Sequence, residues 1–476
     1  DVKATATAGA NGIFKTTLTG LKPTEAGKDL VIKSGAESHI AKDVIVGEVW
    51  VGSGQSNMDW TVGASFTAKE SVAKPRDNGI RVFFVQRIPA TAPVEDVKGS
   101  WKIAGPDTVA GFSAAAYYFA STVRAELKQP VGMIVTSIGG TRAEAWGPRG
   151  MYDAQPDAKG WQEKEDAAVA ARAAKAKADP KTQTAWSNGP HMNWNGMVAP
   201  LVGYSVRGAI WYQGERNSKT VPQAVAYGEQ LKRLISYYRS SWHELSGGNV
   251  AKDFPFFFTQ LPSWEPPQTQ PVEGVEATWS VNREAMRLVS IEMPHTGMAV
   301  GIDCGDPVAL HPQNKKPIGI RHAYLALKEV YGKDIVSCCP RYLNQKIEGN
   351  KIVLNFDSTG SGMMPAKPGK LDAFAIAGAD KKWHWADTEI AGNKVIVSSK
   401  DVPTPVAVRY AWAMNPSQRN LLYNKEGLPA SPFRTDSWPL FDPNDPAVRV
   451  EKPEKTDEAL DAKRNFKDWY RPPMTQ

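Results

Sequence analysis

The sequence predicts an α/β domain on a parallel sheet, followed by a smaller β-sandwich. Two patterns carry this. From residue 43 to about 330, short runs rich in Val, Ile, Phe and Trp alternate with longer segments of helical periodicity, the order that gives parallel strands covered by helices. After Tyr331 the helical segments stop, and short strands separated by turn residues take over. A chain of 476 residues is also too long for one core. The expected division is a partial β segment over 1–42, an α/β domain over 43–332 with a helical insertion at about 150–190, a β-sandwich over 333–440 and a linker or wrapping tail over 441–476.

Taken in order, Gly12–Leu18 and Asp29–Lys33 alternate and read as two short strands, too few to be stable alone. They are expected to pack on the later β domain. Asp43–Val51 reads as one buried strand running into Gly52-Ser-Gly54. Arg81–Val85, Val131–Ile138, Ser205–Tyr212, Pro255–Leu261 and Gly297–Ile302 supply further strands. Ser113–Leu127, Ala224–Trp242, Val281–Ile291 and Ile318–Val330 supply helices. Glu163–Ala178 is nearly all Ala, Lys, Glu and Asp, a strong helix former without a large apolar face, and reads as a surface insertion stopped by Pro180. Beyond it, 351–356, 374–376, 388–390, 394–398 and 407–410 are the sandwich strands, and a short helix is expected near 457–465.

Composition narrows the function. Hydrophobic residues at 42% and charged residues at 22% are those of an ordinary globular protein. The formal charge of +7 is thinly spread, with no basic block interleaved with aromatics, so nucleic acid is not an expected partner. No apolar run approaches the roughly 20 residues of a membrane span. The start, Asp1-Val-Lys-Ala, lacks the apolar region of a signal peptide, so a mature secreted or periplasmic chain, or a cytosolic one, is expected. Cys304, Cys338 and Cys339 form neither a zinc pattern nor a disulfide framework, although one bridge from Cys304 to the pair is conceivable. The 16 tryptophans include candidates for stacking on sugar rings, but many must be core.

Chemistry concentrates at Gly52-Ser-Gly-Gln-Ser-Asn-Met58. The glycines permit a sharp reversal, and Ser56 then stands at the carboxyl edge of the sheet, where open α/β folds place ligands. A serine nucleophile needs a general base. Five of the seven histidines sit poorly for that role: His39 in the N-terminal β segment, His243 at a helix end, His295 before its strand, His322 on a helix face and His384 in the C-terminal domain. His191 and His311 remain as loop residues of the α/β domain. An oxyanion needs converging donors, and the Ser56 N–H and the backbone at Gly139-Gly140 are candidates. Ser56 is not in Gly-x-Ser-x-Gly, and there is no His-Glu-x-x-His, phosphate loop or dinucleotide fingerprint, so neither the ordinary nucleophile elbow nor a metal or cofactor is expected.

The blocks Gly47-Glu-Val-Trp50 with Gly54-Gln-Ser-Asn-Met58, Ser137-Ile-Gly-Gly-Thr141 with Ala145-Trp146, Trp211-Tyr-Gln-Gly-Glu215 and Leu310-His-Pro-Gln-Asn-Lys315 occur in this order, with Asn195–Pro200 as a further run. Together they resemble the SGNH hydrolases, specifically the sialate O-acetylesterase-like carbohydrate esterases. The resemblance implies a three-layer α/β/α sheet with a jelly-roll-like β-sandwich, Ser56 as nucleophile and His311 as base. It adds the Gln213 amide as third oxyanion donor, where the wider superfamily uses Asn. Gln55, Asn57, Arg142, Trp146 and Trp264, with Glu144, Trp60 and Trp279, are then candidates to line the sugar site.

Related sequences carry an acid two or three residues before the histidine, where this chain has Ala309 and Val308. Asp303 and Asp306 are nearby, and Glu215 follows Gln213-Gly214. Asp306 could open a turn at Pro307 and Glu215 could brace its loop, or either could orient His311. The expected function is a carbohydrate O-acetylesterase working through a Ser–His acyl-enzyme on acetylated oligosaccharide or polysaccharide. The alternative is a carbohydrate-binding member of the fold, impaired by the alanine at 309.

Overall fold

Gly47 brings its backbone so close to Pro130 that a Cβ there would lie 2.3 Å from the Pro130 carbonyl oxygen, and this contact starts the central sheet. The Glu48 N–H donates to that same carbonyl at 2.9 Å. The computed structural model describes residues 2–153, 159–179 and 185–446. Its strands begin with β1 (Thr24–Ser34), β2 (Glu37–Val46), β3 (Glu48–Gly54), β4 (Asp77–Phe84) and β5 (Trp101–Ala104). They continue with β6 (Val131–Ser137), β7 (Gly208–Tyr212), β8 (Phe256–Thr259) and β9 (Thr296–Ala299). A seven-stranded sheet has the order β5-β4-β6-β3-β7-β8-β9, parallel except for the antiparallel edge strand β5. β3 lies at its centre.

Both faces of the sheet are buried, which is why its strands read as continuous apolar runs. Trp50, Met133 and Ile210 face one core, with the helices Ala114–Leu127 and Lys316–Glu329. The alternate residues Val51, Ile134 and Trp211 face the other, with Val221–Leu245 and Thr278–Glu292. The four expected helices are present, each within a few residues of its expected ends. Ser113 caps the first, accepting from the Ala116 N–H at 3.3 Å, and Thr220 caps the second, accepting from Gln223 N–H at 3.4 Å. The insertion helix Lys159–Ala178 is present, and none of residues 163–178 is buried.

Two four-stranded antiparallel sheets follow. One contains Arg341–Glu348, Lys351–Asp357, Lys394–Ser398 and Asp387–Ala391; the other contains Trp383–Trp385, Phe374–Ala377, Ala407–Tyr410 and Phe433–Arg434. Ile352, Leu354, Val395 and Val397 from the first meet Phe374, Ile376, Val408 and Phe433 from the second in one core. This is the sandwich. The helix expected near 457–465 lies outside the described residues.

Four expectations are corrected. Asp43–Val51 is not one strand: β2 ends at Val46, and β3 begins after the Gly47 contact with Pro130. Gly12–Leu18 is not a strand. Among the described residues, the ion pairs of the β1–β2 hairpin run to the α/β domain and not to the sandwich, Glu25 to Arg124 at 2.7 Å and Asp43 to Arg81 at 3.0 Å. The three cysteines are free thiols, because Cys304 belongs to the core of the α/β domain and Cys339 to that of the sandwich. No helix among the described residues is long and apolar enough to cross a membrane.

Candidate active site

β3 ends at Gly54 with φ at 142°, and a Cβ there would lie 2.1 Å from the Tyr212 carbonyl oxygen, so only glycine fits. Gln55 then donates its N–H to that carbonyl at 3.0 Å, fixing the turn to β7. Ser56 opens the short helix Ser56–Asp59 and lines a pocket at the carboxyl edge of the sheet with Gln55, Gly139, Gly140, Glu215 and His311. Gly139 follows β6 close against Ser56, so that a Cβ on it would sit 3.4 Å from Ser56 Cβ. Gly140 takes a left-handed φ of 70°. Asn188 braces this turn, donating to the Gly140 carbonyl at 2.8 Å and accepting from the Arg142 N–H at 2.9 Å.

His311 arrives on the loop between β9 and the helix Lys316–Glu329. Asn57 donates to the Leu310 carbonyl at 3.4 Å, while Lys315 donates to the Pro312 carbonyl and, at 2.7 Å, to Asn57 Oδ1. Both carbonyls flanking His311 are thus tied to the residue that follows Ser56. The Trp60 ring lies 5.6 Å from the imidazole at a tilt of 31°.

The carboxylates near His311 divide by partner. Asp303 is buried in a pair with Arg321, at 2.6 Å, and accepts from the Tyr423 hydroxyl at 2.8 Å. Asp306 Oδ1 accepts from the N–H groups of Val308 and Ala309 at 2.9 and 2.8 Å, an Asx turn that shapes the loop. Asp306 is not among the described residues lining the pocket. Glu215 does line it, and its Oε1 accepts from Asn57 Nδ2 at 2.5 Å. Burial pushes the Glu215 carboxyl above its ordinary range, against the opposing pull of Asn57, a backbone N–H, His311 and Lys315.

Comparison with known proteins bears directly on this arrangement. Residues 46–316, which hold Ser56, the Gly139–Gly140 turn, Glu215 and His311, match the family model for carbohydrate esterases described as sialic acid-specific acetylesterase. The chain belongs to this family. Sialate O-acetylesterases of Mus musculus and Rattus norvegicus are 26% and 28% identical to it, over 82% of this chain and 77% and 78% of theirs. A carbohydrate acetylesterase from Xanthomonas citri of known structure is 33% identical, with a TM-score of 0.74 over 88% of each chain.

Of the residues singled out in the esterase blocks, several stand elsewhere than expected. Gln213 is fully buried; its amide donates to the Thr141 carbonyl at 3.1 Å and to Asn217 Oδ1 at 2.7 Å, so it braces the glycine turn instead of pointing into the pocket. Trp146 is core, packed on Trp211, with its indole N–H on Thr141 Oγ1. Asn57 is buried in the clasp on the His311 loop. Arg142 turns toward Glu165 on the insertion helix, at 3.8 Å. His191 is buried against the Gly147 carbonyl, and burial drives His322 down to about 3.

Part of the remaining pocket wall is aromatic. Trp264 and Trp279 lie with ring centroids 5.0 Å apart, and Met414 of the sandwich joins them. Arg283 holds that junction: fully buried, it donates to the carbonyls of Leu261, Ala413 and Met414 at 2.9, 2.7 and 2.9 Å. Sequence reasoning missed Met414, Arg283, Asn188 and Asn217. Asn217 alone had a local signal, as a polar residue two places after Gln213-Gly-Glu215. It links Gln213 to Glu144, to which it donates at 2.8 Å.

Proposed function

We propose that this member of the carbohydrate esterase family removes acetyl groups from acetylated sugars through an acyl-enzyme on Ser56. The observation that carries the reading is that Ser56, His311 and the Gly139–Gly140 turn line one pocket. Ser56 Oγ attacks the acetyl carbonyl carbon while His311 takes its proton. The negative charge on the former carbonyl oxygen is met by the N–H of Ser56 and the backbone of the glycine turn. Collapse breaks the bond to the sugar oxygen, which leaves with the proton from His311. Water, deprotonated by His311, then attacks acetyl-Ser56 and releases acetate.

Trp264, Trp279 and Met414 form an apolar wall suited to an acetyl methyl and a sugar-ring face. Only one carbonyl and two heavy substituents need to fit around Ser56, so sugar selectivity falls to the rim. The test is hydrolysis of 4-nitrophenyl acetate and of an acetylated oligosaccharide. Wild type should release acetate from both. Ser56→Ala and His311→Ala should each lose about 10³-fold or more in kcat. Turnover of Ser56→Ala at the wild-type rate would end the proposal.

A further inference from the structure

The loop before His311 has no carboxylate free to serve it in the usual place. Position 309 is a fully buried alanine, Asp303 is committed to Arg321 and Tyr423, and Asp306 Oδ1 holds its own turn together. Glu215, unlike Asp303 and Asp306, lines the pocket. It reaches the pocket from the end of β7, on the opposite side of Ser56 from the glycine turn in the sheet order β6-β3-β7. Only one of its oxygens is used: Oε1 accepts from Asn57, while Oε2 is buried and has no hydrogen-bond partner. A carboxylate kept only to brace a loop would have both oxygens satisfied, since a buried unpaired oxygen costs stability.

Resting on the Ser56–His311 reading above, we propose that Glu215 is a positioning residue for His311, supplying the buried negative charge that favours the protonated imidazole during acyl transfer. It thereby fills the role that an acid at position 309 would have. The charged and titratable groups facing it are His311 and Lys315 from the loop after β9, Tyr212 from β7 and Tyr227 from the helix Val221–Leu245, with Lys219 and Glu265 further along the same pocket. Lys315 is shared with Asn57 and the Pro312 carbonyl, so it neutralises Glu215 only in part. His311 and Lys315 both favour ionised Glu215.

The experiment uses the full chain with 4-nitrophenyl acetate as probe. Glu215→Gln keeps the shape and an acceptor for Asn57 but removes the charge. It should lower kcat by about 10²-fold with KM changed less than about threefold. The acidic limb of the kcat/KM profile should move to lower pH, because the protonated base has lost its counter-charge. Adding Ala309→Asp to Glu215→Gln should restore kcat by about tenfold or more, whereas Ala309→Asp alone should change it less than about threefold. An unshifted limb with no rescue would assign Glu215 a merely structural role. A large gain from Ala309→Asp in the otherwise wild-type chain would show that no carboxylate serves His311, and would overturn the proposal even if Glu215→Gln failed to fold. Ser56→Ala, run alongside, reads the esterase mechanism separately: its retained activity would reject that mechanism, whatever Glu215 does.

Discussion

Lys315 Nζ donates to Asn57 Oδ1 across 2.7 Å, joining the residue after Ser56 to the residue four places beyond His311. Neither side chain does chemistry in this account. Their interaction joins two loops far apart in the chain, and on the reading proposed above it holds the Ser56 and His311 loops together.

Lys315→Met should expose this. It leaves Asn57 Oδ1 and the Pro312 carbonyl without their charged donor in a buried place. Denaturant unfolding should show a loss of about 1–3 kcal/mol. With 4-nitrophenyl acetate, kcat should fall by about tenfold or more while KM holds, since the loop that carries His311 has lost its anchor. Unchanged kcat at reduced stability would make the clasp purely structural.

The Asp303–Arg321 pair predicts how stability responds to acid. Burial alone would raise the Asp303 carboxyl, but Arg321 and the Tyr423 and Cys304 side chains reverse this and leave it below its ordinary value. Because the folded-state value lies below the unfolded one, the stabilising contribution is present above about pH 4 and is lost as pH falls through the folded-state value. Asp303→Asn should cost about 3–5 kcal/mol at neutral pH, by leaving Arg321 buried without its counter-charge. The variant should also show a flatter decline between about pH 5 and pH 2 than wild type. Parallel curves would assign the acid sensitivity to other groups.

The tryptophan wall predicts a substrate-dependent effect. Trp264→Ala should raise KM for an acetylated oligosaccharide by about tenfold, the loss of one aromatic contact, while 4-nitrophenyl acetate is turned over with kcat changed less than about threefold. Equal losses on both substrates would place Trp264 in support of the nucleophile instead.

What could be read in advance follows the range of the forces involved. Trp50, Met133 and Ile210 alternate with Val51, Ile134 and Trp211 across the sheet, a local pattern, so the α/β order was legible. The turn at Gly54 was legible for the same reason, since its glycine answers a local backbone need. The break at Gly47 was not, because it depends on Pro130, which lies far away in the chain just before β6. Nor was the burial of Trp146 and Gln213, whose partners Trp211, Thr141 and Asn217 are fixed by tertiary packing. Met414 reaches the pocket only because Arg283 binds the carbonyls around it, and no pattern near either residue announces that contact.

The central claim is that Ser56 carries the acetyl group, and intact-protein mass spectrometry after mixing with an acetylated oligosaccharide tests it most directly. The account predicts a transient acetyl-sized adduct on the wild-type chain, acetate in solution, and neither with Ser56→Ala. Acetate release from wild type with no adduct at any mixing time, or the same release from Ser56→Ala, would contradict it.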